Sequence, residues 1–177
     1  MLDQELLKLS KKYKRQADNL LQKTQLLKFL QKYGQIQIIG SYAYDLMLSG
    51  DIDIHIVNPK FTKKKVIKIL NELLNQKQFY AQLFYDFIRR RRPGFPRGYY
   101  IGLKTLFGGN KWKIDLWFIN KPSKKAFIPS AKQINQHRLT ILKLKQQALN
   151  NNLKIHSTAI YKAVIQQGIK DIKYFQK

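Results

Sequence analysis

The chain has 177 residues, of which 44% are hydrophobic and 25% charged, as in a globular protein with a real core rather than a disordered chain. It contains no cysteine and three scattered histidines, which excludes a disulfide scaffold, a thiolate zinc site and a cysteine nucleophile and argues against a histidine-rich metal centre. Lys and Arg number 34 against 10 Asp and Glu, a net charge of +24 that favours a polyanionic partner, although a lysine-rich source genome would give the same excess.

Hydropathy along the chain gives no sign of a membrane segment. No apolar run approaches the roughly 20 residues that span a bilayer. The first residues lack the basic-then-apolar order of a signal peptide. We therefore expect a soluble, cytoplasmic protein with no membrane partner.

The first half of the chain alternates between helical and strand patterns. Residues 3–33 have apolar side chains at spacings of three and four, which predicts a long amphipathic helix with one interruption at Thr24. A short strand is predicted at 35–39, a short helix at 42–48 and a strand with clean alternation at 51–57.

The second half starts with a predicted helix at 63–76 and ends with two more helices. The remaining segments are a β-prone stretch (79–88), two strands joined by a Gly-Gly turn (99–106 and 111–119), and helices at 130–149 and from Ser157 to Gly168. This order predicts an α+β fold, a small mixed β-sheet core flanked by helices, with an N-terminal helix and C-terminal helices. We expect a core over 1–120 and a helical extension packed on it over 121–177, which begins with a basic linker at 121–129.

Three of the few carboxylates lie inside apolar strands. Because side chains alternate across a strand, Asp51 and Asp53 share one face of the 51–57 strand with His55. In the same way, Asp115 and Lys113 share one face of the 111–119 strand. If these strands are neighbours, the three carboxylates meet on one sheet face, where their repulsion calls for a divalent cation. Oxygen-only ligands favour Mg²⁺ or Mn²⁺ over zinc.

A Gly-Ser step lies between the first strand and the predicted helix that follows it. Gly40 allows the backbone to approach a ligand closely, and Ser41 adds a hydroxyl donor. The start of a helix also offers free backbone N–H groups to phosphate. A phosphate site beside a carboxylate-held metal is typical of phosphoryl and nucleotidyl transfer.

The ordered set of motifs resembles the nucleotidyltransferase superfamily of DNA polymerase beta, and in particular its minimal nucleotidyltransferases. The resemblance covers about residues 35–120 and depends on three segments: Ile39-Gly40-Ser41, Asp51-Ile52-Asp53-Ile54 and Ile114-Asp115-Leu116. It implies a small mixed sheet flanked by helices. Many members carry Arg or Gly shortly after the Ser, whereas this chain has Tyr42, which puts some nucleotide contacts in doubt.

The resemblance also implies roles for the motif residues. Gly40 and Ser41 would hold the terminal phosphates of a nucleoside triphosphate, with ATP as the default. Asp51, Asp53 and Asp115 would bind two Mg²⁺ ions, and Asp115 would help to deprotonate the attacking hydroxyl. Lys113 lies on the same face as Asp115, where it would neutralise phosphate or pair with that carboxylate.

The acceptor and the wider role stay open at this point. The basic surface favours RNA over a cationic small molecule, and a protein or small-molecule hydroxyl is an alternative. Arg89 to Arg92 would grip a triphosphate or an RNA backbone, or form a solvated loop, with bases stacked on Phe95, Tyr99 and Tyr100. Two rival hypotheses are a non-catalytic nucleic-acid-binding module on the same fold and a catalytic subunit that needs a protein partner.

Overall fold

The chain folds as a five-stranded mixed sheet with helices before, between and after its strands, which confirms the predicted α+β class. The computed structural model describes residues 2–122, 127 and 129–175. The elements in chain order are α1 (Leu2–Thr24), α2 (Leu26–Gln31), β1 (Gln35–Ile39), α3 (Gly40–Ala43), β2 (Asp51–Val57), α4 (Lys63–Leu74), β3 (Ala81–Asp86), β4 (Gly98–Phe107), β5 (Asn110–Ile119), α5 (Ala131–Asn150), α6 (Ser157–Gln167) and a 3₁₀ turn (Ile172–Phe175).

The strand order in the sheet is β1-β2-β5-β4-β3. The β2–β5 pair is parallel, and the other three pairs are antiparallel. One face of the sheet packs on α1, α2 and α4 and forms the main core, whose sheet residues include Ile52, Ile54, Ile56, Ile101, Leu103, Trp112, Ile114, Leu116 and Phe118. The opposite face carries the residues that alternate with these, including all three strand carboxylates.

The N-terminal helix breaks where an interruption was predicted. Gln25 adopts a left-handed conformation with φ 51°, one residue after Thr24, and separates α1 from α2. The Thr24 hydroxyl donates a 2.8 Å hydrogen bond to the Leu20 carbonyl, which supports the end of α1. The break turns Leu26 and Leu30 of α2 into the core, where both are fully buried.

The helix predicted at 42–48 is wrong in length, because α3 is a single turn that ends at Ala43. Asp45 adopts φ 54°, which stops the helix. Its carbonyl oxygen accepts hydrogen bonds from Ser10 Oγ at 2.7 Å and from Arg138 Nη1 at 2.7 Å. These long-range bonds, together with complete burial of Leu46 and Met47, stabilise an irregular segment in place of a longer helix.

The C-terminal helices pack on α1 and on the segment that follows α3. Ser130 caps α5 in a capping box with Gln133, and α5 contributes Ile134, Ile141 and Leu144 to a second apolar cluster that includes Leu46. His137, which the helical spacing of Ile134 and Ile141 predicts on the inward face of α5, is only partly buried. Residues 123–126 and 128 of the predicted linker lie outside the described part of the chain.

None of the described helices is both long enough and apolar enough to cross a membrane.

Candidate active site

The parallel pairing of β2 with β5 brings the predicted carboxylates together. Asp53 lies directly opposite Asp115 in the register, and Asp51 lies opposite Lys113. Because adjacent strands are about 4.8 Å apart, paired side chains on one face are close neighbours. The adjacency of the two strands, which the alternation pattern alone left open, is therefore confirmed.

Lys113 lies between two of the carboxylates. Its Nζ is 2.6 Å from Asp115 Oδ2 and 3.8 Å from Asp51 Oδ1. The Asp115 side chain is 11% exposed, whereas those of Asp51 and Lys113 are 43% and 49% exposed. The lysine thus acts as an internal counter-cation for the pair, and its head remains accessible to an incoming anion.

Tyr100 and Gly102 on β4 complete the surroundings of Asp115, and sequence analysis missed both of these roles. The Tyr100 hydroxyl donates a 2.7 Å hydrogen bond to Asp115 Oδ1. Gly102 is the register partner of Asp115 on β4, and a Cβ added there would lie 2.4 Å from the Tyr100 hydroxyl. The glycine therefore leaves the space through which Tyr100 reaches the carboxylate.

Substitution of Tyr100 by Phe removes this donor and keeps the ring. Since a hydrogen bond to a charged group contributes about 1.5–3 kcal/mol, we expect the nucleotidyl transfer that the motif resemblance implies to fall about 10-fold or more. The measurement is kcat/KM beside the wild-type protein. Tyr99→Phe is the matched control, because Tyr99 faces the opposite, core side of the same strand; an equal loss in both variants would contradict the role assigned to Tyr100.

Gly40 places the backbone directly against a carboxylate. It adopts φ +70°, and a Cβ added to it would lie 2.5 Å from Asp53 Oδ2. Ser41 follows it in the single turn of α3. Because α3 is a single turn of four residues, it adds little helix dipole at this point. Phosphate binding here would depend on the Ser41 hydroxyl, nearby backbone N–H groups and lysines.

Tyr42 anchors this turn to α1. Its ring is buried, and its hydroxyl donates a 2.7 Å hydrogen bond to Asp18 Oδ1. Lys14 pairs with the same carboxylate at 2.6 Å and lies 4.5 Å from the centre of the Tyr42 ring. Tyr42 thus fixes the Gly-Ser turn to α1.

Burial and mutual repulsion alter the acidity of the strand carboxylates. Burial, reinforced by the negative charges of Asp51 and Asp115, raises the pKa of Asp53 to about 7. Burial also raises the pKa of Asp51 above its ordinary value, against the opposing charge of Lys113. On the same face, burial lowers the pKa of His55 to about 4, so this imidazole is neutral at physiological pH.

The C-terminal helices supply a cation that no sequence pattern indicated. Lys145 of α5 is 9% exposed, and its Nζ donates a 2.5 Å hydrogen bond to the Leu46 carbonyl. Burial lowers the pKa of Lys145 to about 8, although the charges of Asp51 and Asp53 oppose that shift. The extension therefore contributes to the electrostatics of the site as well as to its support.

The donor chemistry fits a hard divalent cation. The three carboxylates are oxygen donors, and Asp51 Oδ1 is a buried atom without a hydrogen-bond partner. The carboxylates are not pre-arranged around one point, because among the described residues no group of three or more His, Asp or Glu side chains is placed to hold a metal ion. The Lys113 ammonium lies between two of them, Asp51 and Asp115.

The aromatic residues predicted for base stacking lie on two different faces. The prediction is wrong for Tyr99, which is 7% exposed in the core and stacks on Phe84. Tyr100 is on the face of the carboxylates but is buried and bonded to Asp115. Phe95 is 37% exposed. Trp117, the register neighbour of His55, packs beside Tyr100 on the same face.

No protein-family model matches the chain, and no curated protein matches it.

Proposed function

We propose that this protein is a nucleotidyltransferase that depends on Mg²⁺ or Mn²⁺ and transfers a nucleoside monophosphate from a nucleoside triphosphate to an acceptor hydroxyl. The observation that carries the proposal is the parallel β2–β5 pair, which places Asp51, Asp53 and Asp115 on one sheet face. Gly40, in contact distance of Asp53, puts the Gly-Ser turn beside them. The motif resemblance to the polymerase beta superfamily supports the same activity.

In the proposed reaction the acceptor oxygen attacks the α-phosphorus, and the bond from that phosphorus to the oxygen bridging to the β-phosphate breaks, so that pyrophosphate leaves. The hydroxyl proton passes to Asp115, which Tyr100 and Lys113 hold in position. The bound cations would supply charge neutralisation of the attacking and leaving oxygens. Gly40 and Ser41 bind the terminal phosphates, and Asp51, Asp53 and Asp115 are the candidate metal ligands.

The acceptor class and the cellular setting belong to the same proposal. With a net charge of +24, the protein attracts RNA or another polyanion more strongly than a cationic small molecule. ATP is the default nucleotide, because nothing in the motif set selects a base. We propose a cytoplasmic location, where nucleoside triphosphates are available.

A non-catalytic nucleic-acid-binding module is the second candidate. The observation that favours it is the position of Lys113, whose ammonium pairs with Asp115 at 2.6 Å and lies 3.8 Å from Asp51. In such a module the metal would be dispensable and the basic surface would be the functional part. A catalytic subunit that needs a protein partner to supply the acceptor site is a third hypothesis.

Transfer of label from α-³²P nucleoside triphosphates tests the proposal. We expect wild-type protein with Mg²⁺ or Mn²⁺ to label one cellular pool, either total RNA or total protein, and Asp51→Asn to lose that label because it removes one of the three charges. A labelled pool also identifies the nucleotide and the acceptor class. Folded wild-type protein that binds nucleic acid but neither labels a pool nor binds triphosphate with metal would favour the binding module.

A further inference from the structure

We propose that the exposed edge of this sheet face, on β3 and the β3–β4 loop, binds a single-stranded nucleic acid by stacking its bases on exposed rings. Leu83, Tyr85 and Phe95 are its exposed members, and the rings of Phe87, Tyr100 and Trp117 lie behind them; these six residues form the strip. That the bound nucleic acid is the acceptor of the transfer rests on the proposed function. The proposal that this surface binds nucleic acid does not rest on it.

Large apolar side chains at one end of the strip are exposed. Tyr85 is 52% exposed, Leu83 47% and Phe95 37%. Leu83 lies in one continuous row of the sheet with Gly102, Asp115 and Asp53. Since neighbouring strands are about 4.8 Å apart, this exposed end lies about 10 Å from Asp115. A ligand lying on Leu83 and Tyr85 is therefore about two strand spacings from the carboxylates.

The exposed rings are supported by buried ones. The Tyr85 ring centre is 5.9 Å from that of Tyr100, and Phe95 stacks on Phe87 at 5.7 Å with an interplanar angle of 3°. Trp117 is 6% exposed and packs 5.7 Å from Phe95 and 5.0 Å from Tyr100. Rings held in this way lose little conformational freedom when a base stacks on them.

Cations border the strip at both ends. The Arg92 guanidinium lies 4.8 Å from the centre of the Phe95 ring. At the carboxylate end, Lys104, Lys111 and Lys113 line a pocket together with the 58% exposed Tyr80. On the strands of this face, the acidic side chains are Asp51, Asp53 and Asp115 of the candidate active site. Away from them, the charge is complementary to a phosphate backbone.

Stacking rings with flanking cations select unpaired strands over duplexes. The bases of a duplex are stacked on one another and offer no free face, whereas every unpaired base offers one. Because stacking on a ring makes no hydrogen bond to the edge of a base, we also expect this surface to bind nucleic acids of different base sequence similarly. The geometry thus points to single-stranded RNA or DNA. Comparison of an RNA with a DNA oligonucleotide shows whether the 2′-hydroxyl contributes to binding.

The test is fluorescence anisotropy with labelled oligouridylate, labelled oligothymidylate and a labelled duplex, without nucleotide and in EDTA. Wild-type protein is expected to bind a single strand more tightly than the duplex. Tyr85→Ala and Phe95→Ala are each expected to weaken single-strand binding about 5- to 100-fold. Tyr85→Leu, which keeps an apolar side chain on the strand, should show the same loss and guards against a folding defect.

Two further variants separate stacking from charge. Tyr174→Ala, at an exposed tyrosine of the 3₁₀ turn, should bind like wild type. The double variant Lys104→Met/Lys111→Met should reduce the slope of log Kd against log salt by about 1, while the ring variants keep the slope.

The inference is overturned if the duplex binds as well as the single strands, or if the Tyr85 and Phe95 variants bind like wild type. Neither result bears on label transfer, so the proposed function stands or falls separately. Preference for RNA, preference for DNA and equal binding all support a single-strand surface and differ only in the strand chemistry selected.

Discussion

Substitution of Asp53 by Asn is expected to lower the rate of nucleotidyl transfer by about 10³-fold, because it removes one ligand charge from the centre of the carboxylate group. Asn has the same shape as Asp, so the core beneath β2 is undisturbed. The measurement is single-turnover transfer of labelled nucleotide with Mg²⁺. A variant that retains activity would contradict the assigned role.

The same substitution is expected to make the metal-free protein more stable at neutral pH. The pKa of Asp53 is raised to about 7, so the folded state holds its proton more tightly than the unfolded state does. This contribution to stability is complete below the ordinary pKa near 4 and is lost as pH rises through 7. Asp53→Asn, which cannot ionise, should therefore exceed the wild type by about 4 kcal/mol above pH 7, with the difference shrinking toward pH 4.

Urea unfolding in EDTA at several pH values measures this difference, and Asp86→Asn is the control of opposite sign. Although burial opposes it, the backbone N–H groups of Arg89 and Ile88 hold the pKa of Asp86 below its ordinary value. Removal of that charge should therefore lower stability at neutral pH. If Asp53→Asn destabilises the metal-free protein at pH 8, the crowding of charge inferred for the site is wrong.

Substitution of Gly40 by Ala is expected to reduce transfer about 100-fold and stability by about 1–2 kcal/mol. The stability loss arises because Gly40 has φ +70°, which a residue with a Cβ adopts at a cost. The activity loss has a separate cause. The new Cβ would lie 2.5 Å from Asp53 Oδ2, so this carboxylate has to move away from its place opposite Asp115.

Gly109→Ala distinguishes these two causes. Gly109 has φ +76° and nothing within 4 Å of an added Cβ, so it carries the same backbone strain without the collision. The two variants should lose similar stability in urea unfolding, and only Gly40→Ala should lose activity in the transfer assay. Equal activity in the two would show that the close approach of Gly40 to Asp53 does not matter for transfer.

Local sequence patterns predicted the elements well and could have placed more of the site. Alternation within each strand assigned Asp51, Asp53 and Asp115 to the correct faces. The Gly108–Gly109 turn pairs Phe107 with Asn110, which fixes the register of the whole hairpin. From that register alone, Gly102 and Tyr100 follow as neighbours of Asp115 and Trp117.

Other parts of the site depend on contacts between distant segments and leave no local signal. The parallel β2–β5 pairing rested on the resemblance, because no short turn joins these strands. The docking of α5 puts Lys145 at the Leu46 carbonyl and Arg138 at Asp45, and nothing in the spacing of α5 predicts either contact. The same tertiary bonds overrode the helical pattern at 42–48.

The parallel pairing of β2 with β5 also bears on the order in which the chain folds. The pairs β1–β2 and β4–β5 join segments close in sequence, whereas β2 and β5 are separated by α4, β3 and β4. Contacts between distant segments carry a larger loop-closure entropy and form late. We therefore expect Asp53 and Asp115 to meet only after β1–β2 and β4–β5 have paired, so that their repulsion slows the last pairing of the sheet rather than the earlier ones.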